Sequence, residues 1–208
     1  MNILNPKLEK YILSLMPQQH EVLEEMYRHG VAQDFPIIGP LCGQFLQQLA
    51  LATQARRIFE MGSGFGYSAA WFSLALPPDG RIICTDGNPA NREQAMEYFK
   101  RLGVVNKIEF HVGMAQEILK TYDGPFDIIF NDVDKEQYPD TLDLAIPRLR
   151  KGGIFITDNA LWDGKVLEAS GDIYTEGVKK FNQLSFGRSD LATMIVPLRD
   201  GLVISVKK

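Results

Sequence analysis

Phe126-Asp127-Ile128-Ile129-Phe130-Asn131-Asp132-Val133-Asp134-Lys135 is the stretch whose reading decides the fold. A mostly apolar run of strand length, Phe126 to Phe130, stops abruptly at Asn131 and Asp132. A second run, Gly153 to Ile156, stops in the same way at Thr157-Asp158-Asn159. In an open α/β sheet, ligands bind outside the carboxyl ends of the strands. The two runs therefore deliver Asp132, Asp158 and Asn159 to one place. Two carboxylates and an amide oxygen are hard donors, suited to Mg²⁺, Mn²⁺ or Ca²⁺. Without a cation, two such carboxylates repel and one tends to keep its proton. Lys135 follows the first carboxylate by three positions.

Outward from these runs the chain keeps one rhythm. Strand-like runs fall at Arg57–Glu60, Arg81–Thr85, Lys107–Val112, Phe126–Phe130 and Gly153–Thr157. Between them lie helical stretches at about Tyr67–Leu76, Pro89–Leu102, Ala115–Thr121 and Glu136–Leu149. Alternation of this kind predicts parallel βαβ units with right-handed crossovers. At the end, Ala192–Val196 and Leu202–Val206 flank Pro197-Leu198-Arg199-Asp200-Gly201, a hairpin with an Asp-Gly turn. The sheet then has seven strands, the last pair antiparallel. Ahead of it three helices are expected. Asn5-Pro6 opens the first. The second spans Gln18 to His29 and stops at Gly30. The third covers Leu41 to Ala52. We read residues 1–54 as a helical segment and 55–208 as the core of one domain.

The 208 residues suit one domain with a full core. Net charge is −4 with no basic run, which argues against a nucleic-acid partner. Cys42 and Cys84 show no paired spacing, and a reduced, cytoplasmic setting fits. Met1 to Lys10 carries charges and Pro6 where a signal peptide has its apolar core. No run approaches a membrane span.

Glu60-Met61-Gly62-Ser63-Gly64-Phe65-Gly66-Tyr67-Ser68 joins the first strand to its helix. Glycines there let backbone approach a ligand, and the helix N-terminus offers free N–H groups. Asp86 ends the second strand, where a carboxylate can accept from both ribose hydroxyls. The dinucleotide fingerprint needs a glycine where Tyr67 stands. Glu60 adds negative charge, wrong for a pyrophosphate and right for the ammonium and sulfonium of S-adenosylmethionine. An NAD-dependent oxidoreductase is thus disfavoured. An amino-directed nucleic-acid methyltransferase would carry an Asn-Pro-Pro-Tyr-like motif where Asn131-Asp132-Val133-Asp134 stands. A non-catalytic S-adenosylmethionine-binding protein is the remaining alternative; Lys135 and the intact ligand set argue against it.

These stretches, with Asp132-Val133-Asp134-Lys135-Glu136-Gln137-Tyr138 and Thr157-Asp158-Asn159-Ala160-Leu161-Trp162-Asp163-Gly164, resemble the cation-dependent class I O-methyltransferases of caffeoyl-CoA and catechol type. The resemblance runs from about Phe35 to the C-terminus. It implies a Rossmann-like sheet of order 3-2-1-4-5-7-6, strand 7 antiparallel, with helices on both faces. It implies Asp132, Asp158 and Asn159 as metal ligands and Lys135 as the base that deprotonates the acceptor hydroxyl. Glu60, Gly62, Ser68, Asp86, Ala115 and Asp134 fall on cofactor contacts. A homodimer and a small aromatic diol substrate are implied as well. Asn131, where an apolar residue is usual, and Ile37-Ile38-Gly39-Pro40, in place of a threonine-rich segment, depart from the plant members. Asp163 stands where those members place a substrate-touching asparagine.

Taken singly, each of these polar residues is as well explained by local turn bonding. Their combination carries the metal reading. Tyr138 and Trp162 could line the acceptor pocket, although aromatic residues near strand ends are more often core, and both are left unassigned. Phe65 and Tyr67 are read as packing for the loop. His20, His29 and His111 lack ligand spacing. Asp163 to Gly177 is expected to be a polar loop over the pocket.

Overall fold

The structure, a computed structural model, describes residues 5–169 and 171–208. The first four residues of the Met1–Lys10 stretch, and Ser170 within Asp163–Gly177, lie outside the described residues.

Strands β1 (Arg57–Met61), β2 (Arg81–Asp86), β3 (Ile108–Val112), β4 (Phe126–Asn131), β5 (Leu149–Thr157), β6 (Leu191–Val196) and β7 (Leu202–Lys207) form one sheet of order 3-2-1-4-5-7-6. The first five run parallel, and β7 is antiparallel to both β5 and β6. β1 and β4 are buried almost throughout, as strands covered on both faces should be.

One face is covered by α2 (Glu21–Ala32), α3 (Gly39–Ala52), α4 (Tyr67–Ala75) and α5 (Pro89–Arg101). The other is covered by α6 (Ala115–Lys120), α7 (Tyr138–Arg148) and α8 (Ile173–Gly187). Helix α1 (Pro6–Leu15) starts as its sequence predicts, with the Asn5 side chain accepting from the Lys7 amide at 2.9 Å. It buries no residue.

Two expectations are corrected. α2 does not stop at Gly30; it starts at Glu21 and runs through Gly30 to Ala32. A Cβ at Gly30 would lie 2.9 Å from Ile37 Cδ1 and 3.2 Å from Phe65 Cζ. That glycine serves close packing, and the left-handed residue beyond the helix is Asp34, with φ 52°. Asp163–Gly177 is not one loop. Trp162–Leu167 forms 3₁₀ turns, and α8 begins at Ile173. The Asp172 carboxylate caps α8, accepting from the Tyr174 and Thr175 amides at 3.0 and 3.2 Å.

Register places the site. Met61 pairs with Asn131, and Asn131 with Thr157. The residues next in chain, Gly62, Asp132 and Asp158, therefore leave the sheet side by side. Backbone bonds continue the ladder there, Asp132 N–H to Met61 O at 2.8 Å and Asp158 N–H to Asn131 O at 3.1 Å. Asn131 itself is buried. Its Nδ2 reaches the Thr141 and Thr157 hydroxyls at 3.4 Å each, while its Oδ1 is buried without a partner. Cys42 and Cys84 are both buried free thiols. Among the described residues, no helix is long and apolar enough to cross a membrane.

Candidate active site

Gly62, Gly64 and Gly66 all have positive φ, between 51° and 87°. Two of them show why glycine is required. A Cβ at Gly62 would lie 2.4 Å from the Asp132 carbonyl oxygen, so this glycine lets the β1 loop touch the β4 loop. Gly66, at φ 87°, precedes the first turn of α4, and a Cβ there would lie 2.5 Å from Phe99 Cζ. The loop is pinned from below: Gly62 and Ser63 amides donate to Thr85 O, and the Gly64 amide donates to Asp86 Oδ2 at 3.0 Å. Phe65 and Tyr67 are buried beneath it, as their reading as packing residues requires.

Two cavities meet at this loop. The larger, about 550 Å³, is bounded by Gly62, Ser68 and Asp86 on one side and by Asp132, Lys135 and Asn159 on the other. The smaller, about 210 Å³, reaches Gly113, Ala115 and Gln137. They share Gly62, Asp86, Asp132, Val133 and Asp134, so an elongated ligand can lie across both. The Asp86 carboxylate is already oriented, its Oδ1 accepting from the Asn88 amide at 2.8 Å and Asn91 Nδ2 at 2.9 Å. Glu60 is placed differently from the other residues assigned to the cofactor. It is fully buried under the loop and lines neither cavity. Neither of its oxygens has a hydrogen-bond partner, although Ser63, Ser68 and Cys84 lie beside it. Burial pushes its carboxyl up to about 7.

The polar end of the larger cavity is lined by Asp132, Lys135 and Asn159, while Asp158, next in chain to Asn159, is buried and off the lining. Lys135 Nζ donates to Asp132 Oδ1 at 2.7 Å and to the Val133 carbonyl at 3.3 Å. It stands 5.0 Å from the centre of the Tyr138 ring and 5.9 Å from that of Trp162. Its backbone is backed by α8, where a Cβ at Gly177 would lie 2.3 Å from Lys135 O. Asp158 is 1% exposed. Its Oδ2 accepts from Arg199 Nη1 at 2.9 Å, while its Oδ1 has no partner. Burial, and then the charge of Asp132, push this carboxyl up to about 6, against the pull of Arg199. Asn159 has φ 55°, and its Nδ2 donates to Asp200 Oδ2 at 3.0 Å. With the amide nitrogen tied to the hairpin, the amide oxygen is the end left to face a ligand.

These donors fit a hard divalent cation. The test is the buried, unpartnered Asp158 Oδ1 together with an amide whose nitrogen is engaged elsewhere. Among the described residues no three His, Cys, Asp or Glu side chains gather as a metal cluster, so the set rests on two carboxylates and this amide. Magnesium sites are commonly completed by water and substrate oxygens.

Several residues of this cavity were not assigned from the sequence. Trp162, left open between pocket and core, lines it. Tyr138, also left open, is fully buried in the core, and its hydroxyl donates to the Asp158 carbonyl at 3.1 Å. Phe35 and Tyr174 add aromatic walls, and Arg199 enters from the hairpin turn. The three histidines take structural places. His20 Nδ1 caps α2 by accepting from the Val22 amide at 3.2 Å. His29 packs edge-on against Phe65, and His111 sits beside Tyr122 and Glu109.

The chain matches the O-methyltransferase family model over residues 14–208. It is 30% identical to the catechol O-methyltransferase of Niastella koreensis, covering 97% of this chain and 96% of that one. It is 30% identical to the caffeoyl-CoA O-methyltransferase of Medicago sativa, covering 95% and 87%. In three dimensions it superposes on the O-methyltransferase TomG of Streptomyces achromogenes, a protein of tomaymycin synthesis solved with S-adenosylmethionine. The TM-score is 0.89 at 31% identity, with 97% and 96% covered. A glycine loop meeting two joined cavities, in a sheet of this order, agrees with all three, and the chain belongs to the O-methyltransferase family as an S-adenosylmethionine-dependent enzyme.

Proposed function

We propose that the protein is a divalent-cation-dependent O-methyltransferase acting on a hydroxyl of a small aromatic vicinal diol. The observation that carries this reading is that Asp132, Lys135 and Asn159 line one end of the cavity whose other end is the cofactor loop, with buried Asp158 next to Asn159 and bonded to Arg199 of the same lining. The relatives named for catechol and caffeoyl-CoA support an acceptor with two adjacent hydroxyls on a ring.

S-adenosylmethionine supplies the methyl group on a sulfonium. Its ribose hydroxyls would donate to Asp86, and its adenine would lie in the smaller cavity beside Ala115, with Asp134 at the junction. Gly62 and Ser68 would border its amino-acid end, and Glu60 would act on that end from beneath the loop. A divalent cation on Asp132, Asp158 and Asn159 would supply Lewis acidity and a chelating anchor for the diol; Mg²⁺ suits this donor set, with Mn²⁺ and Ca²⁺ as alternatives.

The remaining steps belong to side chains. Phe35, Ile37 and Ile38 give the acceptor ring an apolar wall, and Trp162 and Tyr174 give it aromatic neighbours. Held there, the ring would have one hydroxyl within reach of Lys135 Nζ. The lysine, bonded to Asp132, would first release its own extra proton to solvent as Asp132 is given over to a divalent cation. The neutral amine would then take the hydroxyl's proton. The resulting phenolate oxygen would take the methyl group, a carbon–oxygen bond forming as the carbon–sulfur bond breaks and S-adenosylhomocysteine leaves. Proton removal of this kind contributes roughly 10²–10⁴ in rate, and alignment several kcal/mol more.

Products of a panel of catechols incubated with S-adenosylmethionine and Mg²⁺, read by mass spectrometry, test the acceptor class. Mono-methylated diols are expected, with monophenols reacting poorly. Equal turnover of monophenols would contradict a chelating acceptor.

We also propose a cytoplasmic homodimer. Leu8, Tyr11, Ile12 and Leu15 of α1 are exposed, an apolar stripe a second copy could cover. Light scattering at assay concentration is expected to give twice the chain mass; a monomer would contradict it.

A further inference from the structure

Arg199 stands in the hairpin turn between β6 and β7 with φ 53°, a left-handed conformation unfavourable for a long side chain. Something must hold it there. Its Nη1 donates to Asp158 Oδ2 at 2.9 Å, a carboxylate that is 1% exposed, while its own side chain is 32% exposed. It also stands between two spaces: the larger active-site cavity, and a neighbouring one of about 590 Å³ lined by Leu13, Asp34, Leu198 and Asp200.

Each carboxylate of the site thus carries its own side-chain cation, Lys135 on Asp132 and Arg199 on Asp158. Lys135 has a part in the chemistry. Arg199 has none in the steps above. A guanidinium stays charged at any working pH, so it can give up Asp158 only by moving. If it stays, it repels a second cation on the same carboxylate.

We propose that Arg199 is a built-in counter-cation for Asp158. It compensates that buried carboxylate when the site holds no metal, and it competes with a divalent cation for it. The cation affinity is then lower than the same oxygen donors would give alone, and the hairpin turn sets it. This rests on the reading of Asp132, Asp158 and Asn159 as a cation site.

The test is Mn²⁺ binding to chelator-stripped protein, followed by the electron paramagnetic resonance of free Mn²⁺. Wild type, Arg199→Gly, Arg199→Gln and Arg199→Lys are compared. Glycine is at ease at this φ, so the first variant removes the charge without backbone strain. Glutamine removes the charge and keeps a long side chain, a second neutral variant should the first not fold. Both neutral variants should bind Mn²⁺ about ten- to a hundredfold more tightly, the range spanned by one charge-assisted hydrogen bond. Arg199→Lys should stay near wild type. Mn²⁺ should also raise the melting temperature of the neutral variants more than that of wild type. Equal or weaker binding by the neutral variants, with wild type binding normally, would overturn the counter-cation role and leave the cation site standing. No Mn²⁺ binding by any of the four would remove both.

Discussion

Strand β4 carries an aspartate near each end, and the two are treated in opposite ways. At the amino end, Asp127 is fully engaged. Its Oδ2 accepts from the Arg56 and Arg57 amides at 2.8 Å each, and its Oδ1 accepts from Arg150 Nε at 2.6 Å. Burial opposes its charge, yet Arg150 and the two amides outweigh this and hold the carboxyl below its usual range. Just beyond the carboxyl end, Asp132 has one lysine, and its neighbour Asp158 keeps a buried oxygen with no partner. There the carboxyl is pushed up to about 6. A buried polar group left unpaired costs stability. A fold tolerates it where a ligand will complete it. One end of the sheet is tied up by its own side chains, and the other keeps a buried carboxylate oxygen with no partner.

The sharpest way to break this contrast is substitution at both ends. Asp158→Ala should lower turnover by about 10³ or more, because several kcal/mol of electrophilic stabilisation depend on the site it completes. Cofactor affinity, measured calorimetrically with S-adenosylhomocysteine, should survive, since the proposed role of Asp158 is on the acceptor side. Parallel losses of both would mean the residue is structural. Next comes Lys135→Ala, expected to slow turnover by about 10²–10³, within the range of general-base help, while Mn²⁺ binding changes far less. Wild-type turnover in this variant would remove Lys135 from the mechanism.

At the other end the expected loss is of stability. Asp127→Ala should reduce unfolding free energy by about 1–3 kcal/mol, because Arg150 and two amides lose a half-buried charged acceptor. Urea titration measures it, and cofactor affinity should stay within about twofold. A large cofactor effect with intact stability would blur the contrast between the ends.

The smallest effect concerns pH and Glu60. Its folded carboxyl is raised to about 7 by burial. The stability it contributes by keeping its proton is complete below the unfolded value, about 4.3. That contribution is lost as pH rises through about 7. Ligand-free Glu60→Gln should therefore be more stable than wild type at pH 8, by about 1–3 kcal/mol, with the gap closing toward pH 4. A gap that widens toward acid would reverse the assignment.

How much of this was legible in the sequence depends on the range of the interactions. The five parallel strands and their helices follow from local alternation, and the hairpin from Asp200-Gly201. That Asp132, Asp158 and Asn159 stand at adjacent strand ends was legible, because strand ends are local features and parallel strands bring them abreast. α8 was not. Gly177 and the polar residues before it read as loop, while the Asp172 cap was overlooked. The glycine is there because the helix crosses 2.3 Å from where a Cβ would meet Lys135 O, a contact between residues 42 positions apart by subtraction. Gly30 misled in the same way. Arg199 was invisible for a related reason: nothing local says that a turn residue will reach a strand-end carboxylate 41 positions away. The order of strands 7 and 6 came from the family resemblance, not from periodicity.

The most direct test of the central claim is methyl transfer to a catechol by metal-stripped protein in EDTA. The account predicts that activity disappears and returns on adding Mg²⁺ or Mn²⁺. Full activity in EDTA would make Asp132, Asp158 and Asn159 ordinary strand-end polar residues and would contradict it.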